Sequence, residues 1–145
     1  MSYKPTHDEL MASLSPHFLE NNPEGFLENL KLCVRNEIDI REYINDNTYY
    51  DTWYSPLPMC LAYMVGDLVD PAEKKDMDFY GRDMAINNDL GIKLMSYLYL
   101  ADADLTIVDY YDDDIYDYID TLGSDKYILT RRTNNKKFID FLMRL

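Results

Sequence analysis

Apolar residues in this chain recur every three or four positions and strict alternation is almost absent, so the pattern predicts helices and little else. Asn22-Pro23-Glu24 opens one with a capping side chain, a proline in the first turn and an acid near the positive helix end. Phe26, Leu30, Cys33 and Val34 share its buried face and Asn36 is its stop. Ile38, Ile40, Tyr43 and Ile44 mark a short element before the polar run 45–52. Ser55-Pro56 repeats the cap-then-proline start ahead of Leu57, Cys60, Leu61 and Met64, with Gly66 as the left-handed terminator. A further helix is expected from about Gly91, burying Ile92, Met95, Leu98 and Tyr99. Ile115, Tyr118, Ile119 and Leu122 predict another, ended by Gly123, and Phe138, Ile139, Phe141 and Leu142 a last one over 135–145. Tyr127–Thr130 is the one strand candidate.

The expected fold is therefore all-α: short antiparallel helical hairpins, arranged as a solenoid or as an irregular small helical domain. A chain of 145 residues is enough for one domain with one core. Within 1–145, residues 1–20 read as a polar arm or a short first helix. Residues 67–83, charged and broken by Pro71 and Gly81, read as a mobile insertion, and 124–145 as a basic C-terminal cap.

Charge changes the picture most. The formal net charge is -13, and nine aspartates lie between Asp102 and Asp125 with no Lys or Arg among them. Such a balance argues against nucleic acid as a partner, which needs cations to displace counterions from phosphate, and against an anionic membrane surface. It favours a protein with a basic surface. A run of like charge is ordinarily a solvated face that serves solubility. Here, however, Asp112, Asp113, Asp117 and Asp120 project from one helix without interleaved lysines, which costs self-repulsion. Three of the block's acids, Asp112, Asp113 and Asp114, sit at the helix start, where the dipole tolerates them. Tyr110, Tyr111 and Tyr116 stand among them, and tyrosine brings rigid contact area to interfaces. The expected partner-binding residues are Asp109, Tyr110, Tyr111, Asp112, Asp113, Asp114, Tyr116, Asp117 and Asp120. The tail reverses sign with Lys126, Arg131, Arg132, Lys136, Lys137 and Arg144, and can pair with the acidic block or offer a second contact.

Asp102-Ala103-Asp104-Leu105-Thr106 followed by Asp109 resembles the end of an ankyrin repeat, where the family has Gly-Ala-Asp-Val-Asn and then an opening aspartate. Met95, Leu98 and Leu100 lie near the family's second-helix core. Asp78-Phe79-Tyr80-Gly81 is similar to a repeat opening 31 residues before Asp109, against a family period of about 33. Ser55-Pro56-Leu57 resembles the family's Thr-Pro-Leu. Asp112 stands where the family has glycine, Asp114-Ile115-Tyr116 replaces Thr-Pro-Leu, Met84 replaces proline, and no histidine follows these motifs. The resemblance covers about residues 30–122 and implies a solenoid that binds other proteins, with no catalytic residue.

Sequence chemistry offers little to an enzyme. Asp113-Asp114-Ile115-Tyr116-Asp117 has the D-D-x-x-D form of prenyl and terpene synthases, but the chain is too short for that fold and has no second metal motif. A calcium loop from Asp102 would need Gly and Glu where Ile107 and Asp113 stand. His7 and His17 have no third zinc ligand nearby, and no nucleophile elbow or phosphate-cradling glycine loop occurs. No catalytic residue, metal or cofactor is expected. Cys33 and Cys60 fall in apolar helical patterns, where reduced, buried thiols fit a cytoplasmic setting. The N-terminal residues carry no apolar signal segment, and no stretch is long enough to span a bilayer. The sharpest expectation is an inhibitor or immunity-type antagonist of a nucleic-acid-handling protein, a DNA mimic or phage anti-defence protein. The alternatives are an ankyrin-like adaptor whose acidity serves solubility, and a metal-dependent enzyme using the aspartate cluster.

Overall fold

The computed structural model describes residues 5–46, 56–65, 86–108, 114–117 and 136–145. These residues are mostly helical and form no strand: α1 His7–Leu14, α2 Pro16–Asn21, α3 Pro23–Arg35, α4 Arg41–Ile44, α5 Leu57–Met64, α6 Asn88–Leu100 and α7 Lys136–Met143, with a helical turn at 115–117. The expected insertion 67–83, the strand candidate 127–130 and the face from Tyr118 to Leu122 lie outside the described residues.

The N-terminal segment is more than an arm or one short helix. Thr6 accepts a hydrogen bond from the Glu9 amide to start α1, and Ser15 accepts from the Phe18 amide to start α2. Leu10, Leu14 and Leu19 from these helices are buried in the main core. The signal was present as two caps, one followed directly by Pro16. Polar residues on the outer faces masked it.

Helix α5 sits in the core, with Leu57, Met59, Cys60, Leu61, Ala62 and Met64 all buried. Its residues are apolar all round, so it is a central helix and not an amphipathic one. It begins at Leu57 with Pro56 as the cap residue and no side-chain cap bond. The chain leaves at Val65 and returns at Ile86; these two residues form a parallel bridge, and the Ile86 amide donates to the Met64 carbonyl at 2.8 Å. α6 then packs back on α5, on α3 and on α7.

α6 starts three residues earlier than the expected Gly91, at Asn88, and its buried face is Gly91, Leu94, Met95 and Leu98. Tyr99 and Leu100 are instead 48% and 64% exposed. Gly91 lies in the seam: a Cβ there would stand 2.7 Å from Val65 Cγ2 and 3.4 Å from Phe138 Cδ2. In α7, Phe138, Ile139 and Leu142 are buried as expected. Its start is tied to that of α6, where the Phe138 amide donates to Asn88 Oδ1 at 2.9 Å.

A structural repetition runs through this core. α3 and α6 are both 13 residues long, and every boundary of α6 carries a number 65 higher than its counterpart in α3. Asn22 and Asn87 cap them in the same way, accepting from the Gly25 and Leu90 amides at 2.9 and 2.8 Å. Leu30 and Met95 are equivalent and fully buried. Both helices end on a non-glycine residue in the left-handed region, Glu37 (φ 55) and Asp102 (φ 69). The amides of Glu37 and Ile38 bond the carbonyls of Val34 and Cys33, as those of Asp102 and Ala103 bond Tyr99 and Leu98. Each exit is a Schellman motif. The two helices pack directly on each other, 65 residues apart along the chain.

Candidate functional site

After each left-handed residue the chain places an aspartate two positions on, and each aspartate turns the backbone. Asp39 Oδ1 accepts from the Arg41 amide at 3.1 Å, and Asp104 Oδ1 from the Thr106 amide at 2.9 Å. This is the local turn that aspartate side chains favour. The next side chain differs. Arg41 lays its guanidinium on Asp39, with Nε and Nη2 each 3.1 Å from a carboxylate oxygen. Thr106 gives Asp104 only a hydroxyl, at 2.6 Å. That hydroxyl and the Thr106 amide hold the Asp104 carboxyl below the usual carboxylate range. Among the described residues no cation forms an ion pair with Asp102 or Asp104, although Arg41 stands near enough to feel the Asp102 charge.

The loop 101–106 is held by its neighbour. Asn45, just after α4, donates from Nδ2 to the Asp102 carbonyl at 3.0 Å and accepts from the Asp104 amide at 2.7 Å. One side-chain amide thus ties the end of α4 to the second repeated loop. Beside the second loop lies an open groove of about 460 Å³, lined by Tyr99, Asp102, Ala103, Asp104, Leu105, Thr106, Tyr116 and Leu145. Partial burial, then the nearby Asp114 charge and Tyr99, push the Tyr116 phenol upward from its ordinary value. This phenol stays neutral at physiological pH.

Of the nine expected binding residues, Asp114, Tyr116 and Asp117 are described, whereas Asp109, Tyr110, Tyr111, Asp112, Asp113 and Asp120 lie outside the described residues. Asp114 and Asp117 have an unforeseen local task. The Asp117 amide donates to Asp114 Oδ1 at 2.8 Å, and the Asp114 amide donates to Asp117 Oδ2 at 3.0 Å. That is a reciprocal capping box at the start of the turn over buried Ile115. Asp117 is exposed, as expected, but it also secures backbone. Tyr99, Asp102 and Asp104 are absent from the expected binding residues. Spacing places Tyr99 on the buried face, whereas the structure exposes it, and in the sequence the two aspartates read as part of the acidic run and of a repeat ending, with Asp102 also weighed as the start of a calcium loop.

The basic end is used internally where it is described. Lys137 Nζ lies 2.6 Å from Asp89 Oδ1, which draws the Asp89 carboxyl down from its usual range. Both groups are highly exposed, so the pair adds little to stability. Among the described residues no three His, Cys, Asp or Glu side chains are grouped to hold a metal, and no helix is long and apolar enough to cross a membrane. Cys60 is fully buried and Cys33 half-buried; burial pushes both thiols upward. His7 packs edge-on against Tyr43 with ring centroids 5.7 Å apart. No family model, curated protein or solved structure matches the chain.

Proposed function

We propose that this chain is a non-catalytic protein-binding module, built from stacked helical hairpins of ankyrin-like kind. It docks its acidic, tyrosine-bearing C-terminal half on a basic surface of another protein. The partner class that fits is a nucleic-acid-handling protein, whose cationic groove for phosphates a carboxylate array can occupy. The chain then acts as an inhibitor or immunity-type antagonist. The observation that carries this reading is the contrast between the two repeated loops. The same turn is built with an arginine on the first aspartate and with no ion-paired cation among the described residues on the second. Turn formation itself gives no reason for the second charge to go uncovered. The helical-hairpin part is supported by the two matched helices, caps and exits, with α3 and α6 packed directly on each other.

The test is affinity capture from the native host with two baits, the wild-type chain and a variant carrying Asp112→Lys, Asp113→Lys and Asp120→Lys. Asp117 is left alone because it caps the 115–117 turn. The wild-type bait should retain a basic protein that elutes as salt is raised, and the variant should lose it. Equal retention by both baits would reduce the acidic face to a solubility device.

A further inference from the structure

We infer that the groove beside the second repeated loop receives an arginine side chain from a basic protein partner; the inference rests on the protein-binding reading above and gives it a specific contact. Six of the eight groove residues have aromatic, aliphatic or hydroxyl-bearing side chains, and of the eight side chains only those of Asp102 and Asp104 are charged. The groove is therefore a partly apolar slot with two carboxylates at its loop side, rather than a diffuse acidic patch. Its volume of about 460 Å³ falls in the range of built ligand sites. Tyr99, 48% exposed, and the half-buried Tyr116 supply ring surface on which a planar cation can stack.

Charge complementarity selects the occupant. A guanidinium is planar, weakly hydrated and forked, so it can lie on a tyrosine face while its N–H groups reach a carboxylate. A lysine ammonium is compact and strongly hydrated and gains less from ring and fork together. The chain already makes a pairing of this kind once: Arg41 lies on Asp39 with two 3.1 Å contacts in the first loop. At the equivalent place in the second loop stands Thr106. An arriving arginine would supply what Arg41 supplies internally. The receiving loop is also set in place beforehand by the Schellman exit of α6 and by the two Asn45 bonds, which lowers the ordering cost of binding.

The experiment titrates the full chain with a six-residue arginine peptide and, separately, a six-residue lysine peptide, followed by calorimetry and by NMR shifts of the Tyr99, Asp102, Asp104 and Thr106 signals. The variants are D102N with D104N, which keeps the turns but removes both charges, Y99A, and the control E24Q with E28Q, which removes the same charge from α3. The arginine peptide should bind at least about threefold more tightly than the lysine peptide. D102N/D104N should weaken it about tenfold and Y99A about fivefold, whereas the control should change it less than twofold. If both peptides bind alike and control and groove variants weaken them equally, binding is diffuse and the arginine slot is overturned while the protein-binding reading stands. If neither peptide binds and the native-host capture also fails, both are overturned.

Discussion

The loops that follow α3 and α6 are built to one plan and finished differently. Each begins at a left-handed residue, each is turned by an aspartate, and each buries the next aliphatic side chain, Ile40 or Leu105. In the first, Arg41 covers the aspartate with a guanidinium. In the second, Thr106 satisfies the turn with a neutral hydroxyl, and the open carboxylates border a groove with two tyrosines. The difference separates what folding requires from what it does not. A turn needs an acceptor oxygen two residues before the bonded amide; it is indifferent to whether a cation sits on the other side. The acidity of the second loop is therefore available for a partner.

Equivalence of the two copies is most severely tested in the core. Leu30→Ala and Met95→Ala remove matched, fully buried side chains and should each cost about 2–5 kcal/mol in chemical denaturation. A loss under about 1 kcal/mol at either one would break the equivalence. The copies also differ where Phe26 in α3 corresponds to Gly91 in α6. Gly91→Ala gains about 1 kcal/mol of helix propensity but drives a methyl into Val65. Overpacking of about 1–3 kcal/mol should win, so melting should show net destabilisation. A stabilised variant would mean that the α5–α6 seam is looser than its geometry.

The matched caps should behave alike: Asn22→Ala and Asn87→Ala are each expected to lose about 1 kcal/mol. Hydrogen exchange should show the protection of the Gly25 and Leu90 amides falling in parallel. The smallest effect is on acid. Because Thr106 holds the Asp104 carboxyl low in the folded state, its ionised form favours folding above the unfolded carboxylate pKa of about 3.9. That contribution disappears as pH falls through the still lower folded value. D104N should therefore be slightly less stable than the wild type near neutrality, and the two should converge as pH falls below about 4. A difference that widens as pH falls would contradict the assignment.

Much of this architecture was legible in residue spacing. Pro23 after Asn22, the Phe26–Leu30 face, and Phe138 with Ile139 and Leu142 all pointed to what the helices do. Other features depended on tertiary partners that periodicity does not report. Tyr99 sits at helical spacing from Met95 yet faces outward, because the buried face of α6 runs through Gly91, Leu94, Met95 and Leu98, with Gly91 against Val65 and Phe138. The matched exits were not legible because Asn36-Glu37-Ile38-Asp39 and Ala101-Asp102-Ala103-Asp104 share backbone conformation and one aspartate, and little else. Asp114 and Asp117 looked like binding charges when their carboxylates also close a capping box, since an acid at a helix start serves either purpose with the same residue type.

Thr106→Arg tests the central claim most directly, because it gives the second loop the residue that the first already tolerates. The variant should fold with unchanged helicity, its introduced guanidinium lying on Asp104 as that of Arg41 lies on Asp39. Titration with the six-residue arginine peptide should then show affinity reduced at least about tenfold relative to the wild-type chain. A folded variant that binds this peptide as tightly as the wild type would contradict the account, because covering the open aspartate would then cost the surface nothing.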